Sequence, residues 1–216
     1  MKRIVVHDGM AHLDDMIASS LAVAVELLRG TSENDLMVIR DSDYEKYQLQ
    51  PGHDWLIDLG QEFLPDELKF DHHQFGTNDD FGSLASVGLM VNSIPELKQF
   101  RRQDQVFKEL TDRINFQDTA GAEYMAGRLG LDQNVWRGLT FSERKDVELF
   151  MSHPQVVAMQ YGRYFSQRYQ RHQHITQMAD WIQKNSEIAG KHRDILVFRE
   201  EWPPQAVKDS TTALRV

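Results

Sequence analysis

At Phe70-Asp71-His72-His73-Gln74 an acid, two adjacent imidazoles and an amide follow one another at the end of an apolar run. Asp and His are costly to bury unpaired, and the usual partner of several converging carboxylates and imidazoles is a divalent metal ion. More of these side chains recur where strands are expected to end: His7, then His12 and Asp14, Asp58, and Asp118. Such a set exceeds the needs of one ion, which points to two ions sharing a bridging carboxylate. Oxygen and imidazole donors without thiolate suit Mn²⁺, Mg²⁺ or Zn²⁺. Singly, each residue has a plainer reading. His7 or His12 alone is a hydrogen-bonded loop histidine, Asp14 a first-turn acid, Asp58 a turn former before Gly60, and Asp118 an Asx-turn residue. One dinuclear centre accounts for all of them together. His53, His153 and His192 lack such company and read as structural or surface residues.

Residues 3–7 form a short β-branched run, a first strand that ends at His7. A polar segment, 8–15, leads into a helix whose apolar positions are Ile17, Leu21, Ala24, Val25 and Leu28, closed by Gly30. Asp14 and Asp15 fall at its start, where carboxylates suit the helix dipole. Residues 36–39 and 55–59 read as second and third strands, and this rhythm predicts βαβ units with a parallel sheet. In such sheets ligands bind beyond the carboxyl ends of the strands, where His7, Asp58 and Asp71-His72-His73 fall. Further on, 83–94 reads as a helix, Pro95 opens a polar helix through about Ile114, and 115–121 reads as a turn or strand end. Helical segments at 142–152 and 155–182, broken at Pro154, and a strand at 194–198 complete the chain. A boundary near residue 140 divides a metal-binding domain, 1–140, from a helical extension, 141–216.

The formal net charge of −9 argues against a large basic face for wrapping duplex nucleic acid. It leaves room for a short single-stranded oligonucleotide or a small phosphorylated substrate. The chain has no cysteine, so disulfides and thiolate metal sites are excluded. No stretch is apolar enough for a membrane span and Lys2-Arg3 opens no signal-peptide pattern, so a cytoplasmic location without membrane partners is expected. A homo-oligomer is compatible with these features.

The pattern resembles the DHH phosphoesterase superfamily and, within it, the Myg-type (melanocyte proliferating gene) metal-dependent hydrolases. The resemblance rests on His7-Asp-Gly-Met-Ala-His12-Leu-Asp14-Asp15, Ile57-Asp58-Leu-Gly60, Phe70-Asp71-His72-His73-Gln74, Ser83-Leu-Ala-Ser-Val-Gly88-Leu and Asp118-Thr-Ala-Gly121. It implies an α/β fold with a parallel sheet, helices on both faces and a helical C-terminal extension, the region after it being shortened. It also implies a phosphoesterase with two divalent ions, typically Mn²⁺. His7, His12 and Asp58 would hold one ion; Asp14, Asp58, His72 and Asp118 would hold the other, with Asp58 as the bridge. His73 would face the substrate phosphate, and Asp71 would orient a ligand imidazole. The chain departs from the family pattern at Asp15, where glutamate is expected, and at Asp118-Thr119-Ala120, where Asp-Asn-Gly is expected.

Ser83 and Ser86, at an expected helix start, could cradle a phosphate or serve as a cap and a packing turn. Arg163 and Arg168, among tyrosines, could hold neighbouring nucleotides or lie on a solvated helix face. The expected function is hydrolysis of phosphodiester bonds in short oligonucleotides, as an exonuclease or nanoRNase-like enzyme. A small-molecule phosphohydrolase acting on pyrophosphate or a nucleotide, and a non-catalytic metal-stabilised binding module, are the alternatives.

Overall fold

The computed structural model describes residues 1–74, 84–129, 141–188 and 196–198, with side chains at 1–74, 84–119 and 143–181. The chain divides into two compact units, Met1–Gln167 and Arg168–Val216. The boundary expected near residue 140 falls at 130–140, outside the described residues.

The first unit is built on strand β1 (Lys2–Val6), whose Ile4, Val5 and Val6 are all fully buried. Successive strand residues point to opposite faces, so both faces of β1 are covered, as in a parallel α/β sheet. Helix α1 (Leu13–Leu28) packs on β1 and on β3 (Trp55–Ile57), and every residue from Leu13 to Glu26 is buried. Such a helix has no polar face, and its serines satisfy themselves locally. Ser19 Oγ donates to the Asp15 carbonyl at 2.7 Å and Ser20 Oγ to that of Met16 at 2.6 Å. The buried Glu26 carboxylate is paired by Trp55 Nε1 at 3.0 Å and Lys2 Nζ at 2.8 Å, which ties α1 to the sheet.

The sheet is completed by β2 (Leu36–Arg40), β4 (Phe63–Leu64) and β5 (Lys69–Phe70), in the order β2-β1-β3-β5-β4. The first four are parallel, but β4 runs antiparallel to β5, so the sheet is mixed rather than wholly parallel. The strand end expected at Phe70 is that of β5, only two residues long, and β4, equally short, has no periodicity to read and was not expected. The outer edge of β2 is closed by one side chain. Gln155 Oε1 accepts from Val38 N at 2.6 Å and Gln155 Nε2 donates to the Leu36 carbonyl at 3.1 Å.

Helices α2 (Ser86–Ser93), α3 (Pro95–Gln103) and α4 (Gln105–Leu129) follow, then α5 (Phe141–Ser152) and α6 (Pro154–Asn185). The single helix expected from Pro95 to about Ile114 is two helices that part at Asp104. Its backbone is extended, and its Oδ1 caps α4 by accepting from Phe107 N at 2.9 Å. The turn expected at 115–121 is the middle of α4, because Phe107, Thr111, Ile114 and Asn115 form one buried face that holds the helix through it. No described helix is long and apolar enough to cross a membrane. In the second unit, β6 (Ser186–Ile188) pairs antiparallel with β7 (Leu196–Phe198).

Gly88 lets α2 and α4 approach. A Cβ there would lie 2.0 Å from Asn115 Oδ1, which is buried and already accepts from Ala85 N at 2.8 Å. Gly88→Ala is therefore expected to cost about 1–3 kcal/mol through overpacking, a fall of roughly 5 °C in melting temperature. Because α4 carries Asp118 one turn beyond Asn115, the same variant should weaken divalent-ion binding. Calorimetry with a metal titration checks both, and an unchanged melting temperature would refute the close approach.

Candidate metal centre

The site lies beyond the carboxyl ends of β1, β3 and β5. His7 follows β1, Asp58 follows β3, and Asp71-His72-His73 follows β5. Asp58 adopts a left-handed backbone (φ 53°) while its N–H still reaches the Phe70 carbonyl at 2.8 Å. Such a conformation is uncommon outside glycine and turns the carboxylate out of the strand direction. The turn continues through Gly60 (φ 95°) and Gln61 (φ 54°).

The remaining acids arrive from helices. Asp14 and Asp15 occupy the first turn of α1, and Asp118 projects from α4. Asp14 is buried against the start of α2, accepting from Ser86 N at 3.0 Å and Val87 N at 2.8 Å. The amino end of α2 thus faces this carboxylate.

Three groups of side chains bring ligand atoms within 4.8 Å of one another: His7, Asp15 and Asp58; Asp58, His72 and His73; and Asp14, His72 and Asp118. His7 Nε2 lies 3.0 Å from Asp15 Oδ1 and 3.4 Å from Asp58 Oδ2. His72 Nε2 lies 3.2 Å from Asp58 Oδ1 and 3.2 Å from Asp118 Oδ2. The two oxygens of Asp58 therefore face different histidines. Asp15 Oδ1 is buried without a hydrogen bond of good geometry, although His7 Nε2 is close. Crowded carboxylate oxygens, one of them unsatisfied, beside imidazole nitrogens fit a hard or borderline divalent cation.

The protonation states carry the same strain. Burial pushes Asp14 well above the usual carboxylate range, with Asp118 and Asp58 adding to the rise. Burial likewise lifts Asp15 to about 6, against the pull of His7 and with Asp58 contributing. Burial also opposes the charge of Asp58, yet His72 and Asp15 beside it hold its carboxyl far below the usual value. His72 is raised to about 10, because Asp118 and Asp58 outweigh its burial. His7 is raised, chiefly by its contact with Asp15. One protonated imidazole is standing in for positive charge that the carboxylates require.

Residues 3–93 match the family model MYG1_exonuc, described as an uncharacterised protein family (UPF0160). No curated protein and no solved structure matches the chain. The MYG1_exonuc segment contains His7, Asp14, Asp15, Asp58, His72 and His73, and leaves Asp118 beyond its end.

Of the residues singled out from sequence, His7, Asp14, Asp58, His72, His73 and Asp118 fall into the three groups. His12 belongs to none of them: its side chain is 57% exposed, and Nδ1 lies 3.8 Å from Asp118. It lines the cleft while its backbone N–H donates to Asp15 Oδ2 at 2.6 Å. Asp15 was missed as a candidate ligand. Adjacent helical residues diverge by about 100°, so Asp14 and Asp15 can serve two different groups from one turn. The readable signal was the Asp-Asp pair at a helix start beside a strand ending in histidine.

Asp71 accepts from His73, at 2.6 Å to Nδ1 and 3.0 Å to the backbone N–H, and from Gln61 N at 2.7 Å. Ser86, considered for a phosphate cradle, is instead fully buried, its Oγ donating to Asp58 Oδ1 at 3.1 Å. Ser83 lies outside the described residues. Arg163 pairs with Glu33, which precedes β2 at the amino end of the sheet, so it stands at the end opposite the site. Arg168 belongs to the second unit.

Proposed function

We propose that this chain is a metal-dependent hydrolase that cleaves phosphodiester bonds of short oligonucleotides from an end. The observation that carries the reading is the gathering of four aspartates and three histidines into three groups linked through Asp58 and His72, with Asp58 facing two histidines at once. The name of the matched family, an exonuclease, supports the same reaction class. His7, Asp15 and Asp58 would hold one divalent ion; Asp14, Asp58, His72 and Asp118 would hold a second, with Mn²⁺ the first candidate and Mg²⁺ or Zn²⁺ next. Bound divalent ions supply a water activated near neutral pH and neutralise charge developing on phosphoryl oxygens.

The chain's own residues then have distinct tasks. Asp58 spans the two ligand groups through its separate oxygens. Ser86 and the first amides of α2 hold Asp58 and Asp14 in place from beneath. His73 lines the cleft, and Asp71 fixes its ring through Nδ1, leaving the other ring nitrogen for a substrate oxygen. His73→Ala should therefore lower turnover by about 100-fold with metal content nearly unchanged. Metal analysis of the purified variant checks this, and loss of metal equal to that of an Asp58 variant would make His73 a ligand instead.

The cleft of about 570 Å³ is fitted to a small part of a strand. Efficiency should level off between di- and tetranucleotides, and duplex should be a poor substrate because its end must fray first. Single-turnover assays on a length series with Mn²⁺, Mg²⁺, Zn²⁺ or chelator test the reading, with pyrophosphate and nucleotides alongside. Ion-dependent release of mononucleotides is the expected result. Hydrolysis of pyrophosphate or nucleotides alone would make the protein a small-molecule phosphohydrolase, and metal binding without any turnover would make it a binding module.

A further inference from the structure

At the other end of α2 from the metal centre lies a second cleft of about 470 Å³, lined by Asn92, Lys98, Arg101, Arg102, Gln105 and Lys108 together with Val91. Its character is opposite to that of a chain with net charge −9. Lys98, Arg101 and Arg102 sit at i, i+3 and i+4 on α3, so they share one helix face. Lys108 comes from the first turn of α4, the positive end of that helix, where a cation is unfavourable. Like charges at this spacing repel one another unless an anion offsets them.

The nearby carboxylates do not balance the group. Asp112 accepts from both Arg101 Nη2 at 2.5 Å and Lys108 Nζ at 2.8 Å. Glu109 is held by Gln105 Nε2 at 2.8 Å. Among the described residues, Lys98 and Arg102 pair with no carboxylate, and Arg101 Nε is buried without an acceptor. Four cations thus line one cleft, two of them, Lys98 and Arg102, exposed and without a carboxylate partner among the described residues, while Asn92 Nδ2 donates to the Gly88 carbonyl at 2.9 Å. We propose that this cleft binds a phosphate group, independently of the metal centre.

Two sources share that chemistry: a free phosphate or phosphomonoester, and a distal phosphate of a strand engaged at the metal centre. Ser86, which contacts Asp14 and Asp58, and Asn92, which lines the basic cleft, are six residues apart on α2, about 9 Å along the axis. That separation allows either source.

The test is titration of the full chain with inorganic phosphate in chelator, so that the metal centre takes no part, followed by calorimetry and by the side-chain amide resonances of Asn92 and Gln105. Saturable binding that moves these amides and weakens as salt rises from 50 to 200 mM is expected. The double variant Lys98→Glu, Arg102→Glu, both on exposed positions, should raise Kd by about tenfold or more while the circular dichroism spectrum is unchanged. An octanucleotide that displaces phosphate from these amides assigns the cleft to a strand, and one that leaves phosphate in place assigns it to a free anion. Absence of saturable binding to the wild-type chain, or binding that the double variant leaves unaltered, overturns the proposal whatever the chain hydrolyses.

Discussion

Asp58→Asn is expected to lower divalent-ion affinity by about 100-fold or more and to reduce the proposed phosphodiester hydrolysis by about 10³-fold or more. The substitution is nearly isosteric, and asparagine is among the few residues that accept the left-handed backbone at this position (φ 53°). The fold should therefore survive, and the loss reports on the carboxylate itself. Asp58 Oδ2 faces His7 and Oδ1 faces His72, so removing its charge weakens both ligand groups rather than one. Asp15→Asn, by contrast, touches only the group containing His7, and should weaken one class of ion while leaving the other. Calorimetric titration with Mn²⁺ distinguishes the two variants. An Asp58→Asn protein that keeps both ions and full activity would rule out the bridge.

The ion-free protein should become less stable as pH rises, and a divalent ion should reverse the loss. Asp15 is held at about 6 in the fold, above its unfolded value of about 3.9. His72 is held at about 10, above its unfolded value of about 6.5. In both cases the folded state keeps the proton more tightly. The stabilisation is complete below the unfolded value and is lost as pH climbs through the folded one. Asp58, shifted the other way, contributes fully above its unfolded value and loses its contribution only as pH falls below about 4. Asp14 and His7 are raised as well, so with Asp15 and His72 four groups of the site act downward as pH rises above about 4. A fall in melting temperature on the order of 5 °C or more is expected between pH 5 and pH 9 in chelator. Mn²⁺ at about 1,000 times its Kd should add about 4 kcal/mol near pH 8, roughly 10 °C. A melting temperature that rises with pH in chelator would mean that the carboxylates are not repelling one another.

What could be read locally in the chain was the type and order of the candidate ligands. His7 and Asp58 each follow a short apolar strand, whose pattern is a property of neighbouring residues, and Asp71-His72-His73 is marked by its own composition. The length of α1 and its acidic first turn were legible for the same reason. The resemblance added expected roles but not positions. Three features were decided only by tertiary structure. Asp118 stands on a helix rather than in a turn, because the buried face of Phe107, Thr111, Ile114 and Asn115 carries α4 through a stretch whose own residues suggest a turn. Arg163, expected beside a nucleotide, pairs instead with Glu33, a partner 130 residues away that no local pattern could name. Asp15, more than His12, faces His7 and Asp58, because the pitch of α1 and the left-handed turn at Asp58 set where each side chain points. Sequence spacing names which groups can bind a cation. Which of them share one is a matter of distance across the fold, and electrostatic attraction and repulsion follow distance rather than chain order.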